Sequence, residues 1–146
     1  MQWIIRQRWF WLLVVIAVLA VPLLVDYFLA SARVDQVRFD YTIDPPEVVA
    51  DGKSAATITL RVTENGEPRI HDLFQIWFEV GGGMLTPDTA FTDEQGIITI
   101  TYRPNPASPY TPSDFAQIAV MDASIGRLVE VRRQESIQIP LVVPGS

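Results

Sequence analysis

His71 is the only histidine of the chain, and histidine is the side chain whose ordinary pKa suits acid–base chemistry near neutral pH. It stands next to Asp72, and a histidine beside a carboxylate can act as a general base or bind a metal. Nucleophilic catalysis would also need a serine or cysteine motif, and none accompanies this pair. We therefore interpret His71 as a loop histidine, with a metal ligand or base as the alternative.

Two other stretches have the composition of ligand sites without the necessary spacing. Asp88, Asp93 and Glu94 could offer carboxylates to calcium, but they lack the alternating acidic spacing of a calcium loop. The glycine run at residues 81–83 is followed by neither a Lys-Ser/Thr pair nor a helix start, as a phosphate loop would be. The sequence thus predicts turns at both places, no catalytic residue, no metal site and no cofactor.

Two further features have the character of contact sites. Trp77 falls on the face of its predicted strand opposite the apolar residues, where an exposed indole marks an interface. The alternative is that a loop or edge residues cover it. The second feature is the segment 103–113, which four prolines stiffen. Its candidate contact residues are Tyr110, Pro106 and Pro109, and the alternative is a rigid cross-over loop with no partner.

Charge and cysteine content exclude several classes of function. The chain has 11 basic and 17 acidic residues. Two basic residues and one acidic residue lie in residues 1–32, so the rest of the chain has nine basic and sixteen acidic residues and a net charge of −7. Phosphate contacts need a basic face, so this charge argues against nucleic-acid binding and against electrostatic adhesion to anionic lipid. With no cysteine, disulfides, thiolate zinc sites, iron–sulfur clusters and cysteine nucleophiles are excluded.

Residues 9–25 form an uncharged apolar run, WFWLLVVIAVLAVPLLV. A helix over residues 9–30 would be about 33 Å long, enough to cross the hydrocarbon layer of a bilayer. Arg6 and Arg8 precede the run, so the positive-inside rule predicts a cytoplasmic segment 1–8 and an extracytoplasmic domain at the cell membrane. Membrane lipid is therefore one expected partner.

Five residues of this span have expected roles at defined depths. Trp9 and Trp11 should lie near the inner interface and Tyr27 near the outer one. Pro22 removes one backbone hydrogen bond and should kink or loosen the outer third of the helix. Asp26 is expected to be solvated at headgroup depth, with a buried partner charge as the alternative.

A cleaved signal peptide is the alternative to a retained anchor. The small residues Ala30 and Ala32 match a small-x-small cleavage site. However, the apolar run is longer than the usual signal-peptide core of roughly 7–15 residues, which favours retention. Residues 31–36 would then form a short linker that keeps the folded domain close to the membrane.

The domain over residues 37–143 has the two-residue period of half-buried strands and no helical period. Strands are predicted over residues 34–43, 56–62, 74–80, 98–103 and 115–123, with one long or two short strands over residues 128–143. Turn signals, including Asp51-Gly52 and Asn65-Gly66, separate them. About seven short strands predict an all-β, Ig-like antiparallel β-sandwich preceded by one transmembrane α-helix.

Residues 46–101 resemble the bacterial Ig-like group 1 domain, the repeat of invasin- and intimin-type adhesins. The residues that carry the resemblance are Val49-Ala50-Asp51-Gly52-Lys53-Ser54, Ala56-Thr57-Ile58-Thr59-Leu60, Asn65-Gly66-Glu67-Pro68, Phe78-Glu79-Val80, Gly81-Gly82-Gly83, Leu85, Pro87, Thr89-Ala90, Thr92-Asp93 and Gly96. The resemblance implies an Ig-like sandwich, usually in tandem, that acts as an extracellular spacer or binding module without catalytic residues. This chain has one copy, an N-terminal helix in place of an outer-membrane barrel, and longer segments at 69–73 and 103–113.

These observations support three hypotheses about function. The first is a non-enzymatic accessory subunit, whose helix docks in a larger membrane protein complex and whose domain packs on its extracytoplasmic face. The second is a cell-surface adhesin or wall-binding module of invasin-like type. The third is a surface-filament subunit, although no prepilin-type processing motif is visible.

Overall fold

A computed structural model describes residues 2–108, 114–126 and 128–144, with side chains from residue 9 onward. The described chain is one long N-terminal helix followed by strands. The elements are α1 (Gln2–Val34), β1 (Val37–Asp44), β2 (Val48–Val49), β3 (Ala56–Glu64), β4 (Glu67–Pro68), β5 (Leu73–Val80), β6 (Gly83–Thr86), β7 (Thr89–Phe91), β8 (Ile97–Pro104), β9 (Phe115–Asp122) and β10 (Arg133–Val142).

The first sheet has the order β1-β3-β8-β6, and the short β4 also pairs with β3. All of these pairings are antiparallel. Alternate residues of a strand share a face, so Ile58, Leu60 and Val62 of β3 all point into the sandwich and are fully buried. The polar residues between them face outward, as the sequence alternation predicts.

The second sheet has the order β2-β10-β9-β5-β7. It is antiparallel except for the two-residue pairing of β2 with β10, which is parallel. The all-β Ig-like sandwich with one preceding helix is confirmed, and this short parallel pair is a detail that the alternation could not reveal.

Aromatic side chains from both sheets meet in the core. Phe39 of the first sheet packs edge-on against Phe74 of the second, with ring centroids 6.1 Å apart. Phe78 and Tyr102 make a second such pair at 5.8 Å. These contacts join the two sheets into one apolar interior.

One of the acidic residues considered as a calcium ligand shapes a turn instead. Asp93 Oδ1 accepts hydrogen bonds from the backbone N–H groups of Gln95 and Ile97, each at 2.8 Å. Gly96 in this turn has φ of 73°. A Cβ there would lie 2.6 Å from the carbonyl oxygen of Val62, so conformation and close approach both require glycine.

Four short strands, β2, β4, β6 and β7, were not predicted from the sequence. Two element boundaries also differ from the sequence prediction. The helix continues through residues 31–34, where a linker was expected, and the first strand therefore begins at Val37 rather than at residue 34. Residues 128–132 form a loop, so the final strand is only Arg133–Val142. Both differences have one cause, because the end of α1 packs against the sandwich and the loop binds the helix.

Candidate functional site at the helix–sandwich junction

The C-terminal end of α1 is part of the core of the sandwich. Ala30 is only 2% exposed and belongs to the same apolar cluster as Val37 and Ile125, and Val34 packs against that cluster. The neighbouring Leu29 is 63% exposed, so one face of the helix is covered and the other is free of the sandwich. The small side chain of Ala30 allows the helix backbone to approach the core closely.

Asp26 ties the helix to the loop that precedes β10. Its Oδ2 accepts hydrogen bonds from the backbone N–H groups of Leu128 at 2.7 Å and Val129 at 2.9 Å. The carboxylate expected to be solvated at headgroup depth is instead held by backbone donors of the domain. A carboxylate with two N–H donors makes strong charge-assisted hydrogen bonds, so this contact fixes the loop against the helix.

Arg33, in the last turn of α1, makes a second contact with the sandwich. Its Nε and Nη2 donate to the two carboxylate oxygens of Glu64 at 2.6 and 2.7 Å. Its Nη1 donates to the carbonyl oxygen of Ile125 at 3.2 Å. This two-pronged pairing sets the direction of the guanidinium as well as its position, and so restricts rotation of the helix.

Behind this pair lies Arg69, whose side chain is only 4% exposed. Its Nε donates to Asp72 and lies 3.8 Å from Glu64, and its Nη1 lies 2.8 Å from Asp122 Oδ2. Its Nη2 donates to Ser124 Oγ at 3.3 Å. A buried guanidinium is tolerated only with such partners, so the cluster holds together the loops next to the end of α1.

The surroundings shift two carboxyl groups of the cluster in opposite directions. Hydrogen bonding to Arg33 lowers the pKa of Glu64. Burial raises the pKa of Asp122, although hydrogen bonds from Ser124 oppose that rise. Glu64 therefore stays charged at more acidic pH than an ordinary glutamate does. Keeping Asp122 charged, by contrast, costs free energy because the group is buried.

A cleft of about 470 Å³ opens beside the cluster and is lined by Arg33, Glu64, Asn65, Glu67, Pro68, Arg69, Asp72 and Ser124. Most of its charged lining groups are already engaged in ion pairs. The serine hydroxyl at its edge donates to Asp122 at 2.7 Å, not to a histidine. The arrangement has the character of a clamp, and it offers no activated nucleophile among the described residues.

His71 lies in the loop between β4 and β5, with its backbone N–H bonded to the carbonyl oxygen of Thr92 at 3.1 Å. Its φ of 58° is a left-handed conformation. The adjacent Asp72 is engaged with Arg69. Within the described part of the chain, no three histidine, aspartate or glutamate side chains converge as a metal site.

Trp77 lies on the outer face of the second sheet and is 36% exposed. Ala119, directly opposite it in β9, shares that face and is fully buried. Phe91, paired with Leu73 at the edge of the same sheet, is 65% exposed. This outer face therefore carries two accessible aromatic side chains.

A polar network lies beside Trp77 on the same face. Glu79 accepts hydrogen bonds from Gln117 at 2.8 Å, Gln134 at 2.6 Å and Ser136 at 2.7 Å. The network spans β5, β9 and β10 and holds these side chains in fixed positions. A fixed polar rim next to exposed aromatic rings is the anatomy of a protein interface.

Of the other predicted contact residues, only Pro106 lies within the described residues. Pro106 packs on the turn after β2, where a Cβ on Gly52 would lie 2.7 Å from its ring. The next residue, Ala107, donates its N–H to the carbonyl oxygen of Ala50 at 2.8 Å. Pro106 thus has a structural role, while Pro109 and Tyr110 lie outside the described residues.

The predicted anchor residues all lie on α1. Trp9 and Trp11 are 64% and 59% exposed, and Tyr27 is 48% exposed. The helix continues through Pro22 without interruption. For Arg6 and Arg8 the structure describes only the helical backbone. The helix is long and apolar enough over Trp9–Val34 to cross a membrane, and a signal sequence would pass the same test.

The charged cluster was not predicted from the sequence. Its members lie far apart in the chain, at Arg33, Glu64, Arg69 and Asp122. The one local signal was a charged residue at the end of an otherwise apolar strand, since Asp122 follows Ala119-Val120-Met121. A fully buried aspartate needs a partner, but the sequence does not indicate which one.

The assembled features define the chain as an Ig-like β-sandwich fused to one long apolar helix. No protein-family model and no curated protein matches the sequence. Among solved structures, it is similar to a C-terminal 282-residue fragment of intimin in complex with the intimin-binding domain of the translocated intimin receptor, Tir. The two are 19% identical with a TM-score of 0.51, over 70% of this chain and 32% of that one.

Two further similarities are also to intimin. The D00-D0 domain is 22% identical with a TM-score of 0.49, over 70% of this chain and 46% of that one. The D0-D1 domain is 19% identical with a TM-score of 0.47, over 68% of this chain and 46% of that one. This chain spans less than half the length of each intimin fragment. The resemblance to an invasin- or intimin-type Ig-like domain is confirmed at the level of the fold.

Proposed function

We propose that this chain is a non-enzymatic, single-pass membrane protein that serves as an accessory subunit of a larger membrane complex. Its helix docks with the membrane part of that complex, and its Ig-like domain packs on the extracytoplasmic face. The observation that carries the proposal is the set of contacts between the end of α1 and the sandwich. Asp26, Ala30 and Arg33 bind three separate parts of the sandwich, so the domain has a fixed orientation relative to the helix.

A fixed domain has a short reach. A strand of eight residues spans about 26 Å, so the sandwich extends only about that far from the end of the helix. A binding partner must therefore lie close to the membrane surface. This geometry favours a neighbouring membrane protein over a distant ligand.

The outer face of the second sheet is the part of the domain best suited to that partner. Trp77 and Phe91 present accessible aromatic surface, and the Glu79 network forms a fixed polar rim. Exposed aromatic side chains next to fixed polar groups are enriched in interface centres. We assign this face to the contact with the neighbouring subunit.

The test is extraction of the tagged full chain from native membranes in mild detergent, followed by native sizing and mass spectrometry. We expect a defined set of membrane proteins to co-purify with the wild type and to be lost or reduced with Trp77→Ala. The matched control is Tyr41→Ala, because Tyr41 is 42% exposed on the first sheet. A variant with residues 14–24 scrambled at constant hydrophobicity tests the contribution of the helix.

Two outcomes would contradict the accessory-subunit proposal. One is a wild-type chain that elutes as a lone monomer in its micelle. The other is co-purification that survives both Trp77→Ala and the scrambled helix. If Trp77→Ala and Tyr41→Ala reduce co-purification equally, the outer face of the second sheet is not the contact with the neighbouring subunit.

The second candidate function is a surface adhesin or wall-binding module. The similarity in fold to the intimin fragment favours it, since that fragment is bound to a receptor domain in its structure. This function predicts that the full chain, in detergent or in nanodiscs, binds glycans, wall material or a foreign surface protein without other membrane subunits. If the chain shows no such binding and a defined set of membrane proteins co-purifies with it, only the accessory-subunit proposal remains.

A further inference from the structure

Leu128 and Val129 lie beside the helix, close to Ile125 and Gly126. Ile125 is 1% exposed in the core, whereas Leu128 is 62% exposed. Between them, a Cβ on Gly126 would lie 1.8 Å from the carbonyl oxygen of Val129, so only glycine fits this turn. The N–H groups of Leu128 and Val129 point to Asp26, which leaves the Leu128 side chain accessible on the outside of the loop.

The hydrogen bonds to Asp26 set the depth of this loop relative to the membrane. From Trp9 to Asp26 the helix rises about 26 Å at ~1.5 Å per residue. The hydrocarbon layer is about 30 Å thick. If Trp9 lies at the inner interface, Asp26 and the loop bound to it reach the outer boundary of the hydrocarbon, not the water above it. This step rests on the proposed membrane crossing of α1.

Leu128 lies at the level of Asp26, where apolar side chains of the helix are also exposed. Tyr27, Phe28 and Leu29 are 48%, 67% and 63% exposed at the same level, and the rings of Tyr27 and Phe28 meet edge-on. We call these three residues and Leu128 the apolar collar. Aromatic side chains at such a level are typical of the bilayer interface, and a leucine beside them is suited to contact with acyl chains.

We propose that Leu128 inserts into the outer leaflet, at the boundary between acyl chains and headgroups. The occupant of the apolar collar is lipid, because the collar lies at the level where the membrane-crossing helix leaves the hydrocarbon layer. The contact is apolar, because none of the four side chains of the collar carries a charge. The domain thus has a second membrane contact besides its helix.

The absence of native cysteine allows a direct test on the full chain in nanodiscs of phosphatidylcholine. Leu128→Cys is labelled with a fluorophore, and its quenching by lipids that carry a nitroxide near the top of the acyl chain is measured. Leu24→Cys, in the helix, is the positive control. Lys53→Cys is the negative control, because Lys53 is exposed at the opposite end of the sandwich.

We expect quenching at Leu128 to be at least half of that at Leu24 and several-fold greater than at Lys53. Adding Asp26→Asn to Leu128→Cys should reduce the quenching, because a neutral amide holds the loop less firmly at this depth. If quenching is strong at Leu24 but no greater at Leu128 than at Lys53, Leu128 does not insert into the membrane. That result would not contradict the membrane crossing of α1. Weak quenching at Leu24 as well would overturn the crossing itself.

Discussion

At the scale of single residues, Tyr102 shows how the core accommodates a polar atom. Its ring is fully buried against Phe78, and its hydroxyl donates to the carbonyl oxygen of Gly82 at 3.2 Å. Burial raises the pKa of this hydroxyl to about 12, so it remains a donor throughout the physiological range.

We expect Tyr102→Phe to lower the free energy of unfolding by about 1 kcal/mol, because it leaves the Gly82 carbonyl without this donor while keeping the ring. Chemical denaturation of the detergent-solubilised chain measures the change. Tyr41→Phe is the control, since Tyr41 is exposed on β1 and should lose little. Equal effects of the two substitutions would mean that the hydroxyl of Tyr102 contributes nothing.

The Arg33–Glu64 pair predicts a loss of stability in acid. Its hydrogen bonds hold the pKa of Glu64 below the ordinary 4.5. A carboxyl with a lower pKa in the folded state adds stability that is present above pH 4.5 and lost as the pH falls through the folded-state pKa. Asp122 acts in the opposite sense, because its pKa is raised and protonation relieves the cost of its buried charge.

Glu64→Gln isolates the first of these effects. Near neutral pH we expect the variant to be less stable than the wild type by about 1 kcal/mol, a modest value because Arg33 is partly exposed. At about pH 4 and below, the difference should shrink. Glu94→Gln, in the exposed turn before β8, is the control for removing a carboxylate charge. A Glu64→Gln difference that does not change with pH would contradict the assigned pKa shift.

Individual residues were predictable where a local period decides their environment. The outward position of Trp77 follows from the alternation of β5, and it is the placement that the structure gives. The partners of Asp26 were not predictable, because Leu128 is 102 residues away in the chain. Likewise, nothing local connects Arg69 with Asp122, since the fold alone brings them together.

At the scale of elements, the end of α1 depends on a small residue at its contact with the core. Ala30 is 2% exposed, whereas Leu29 is 63% exposed on the free side. We expect Ala30→Phe to overpack the junction and lower the free energy of unfolding by about 1–3 kcal/mol. Leu29→Phe adds an aromatic ring on the other face and should change stability little. Similar losses for both would show that the helix end is not packed as described.

The longer strands were predictable from sequence to within a few residues, because alternation and turn residues mark them. The short strands β2, β4, β6 and β7 were not predicted, because two to four residues show too little alternation. The last turns of α1 were not, since residues 31–36 have the composition of a linker and become helical only because Ala30 and Val34 pack on the core. The loop at residues 128–132 was predicted as strand for a similar reason. Its apolar residues suit a strand, but its N–H groups bond to Asp26 rather than to a neighbouring strand.

At the scale of the whole molecule, the junction makes the helix and the sandwich one folded unit. The apolar segment supplies the buried Ala30 and, through Asp26, an acceptor for two backbone donors. The helix also runs unbroken through the small residues at positions 30 and 32 that match a cleavage site. A signal peptide, by contrast, makes no contribution to the domain that it delivers.

Because the helix and the sandwich form one folded unit, we predict that the helix is retained in the mature protein. A chain that begins after Ala32 loses the core contact of Ala30 and leaves the N–H groups of Leu128 and Val129 without Asp26. We expect it to unfold at lower denaturant concentration than the full chain, and its backbone around residues 125–129 to exchange amide hydrogen faster. Intact mass spectrometry of the protein from native membranes should show residues 1–32 present. A mature form that starts at Arg33 with unchanged stability and exchange would mean that the junction contributes nothing to the fold.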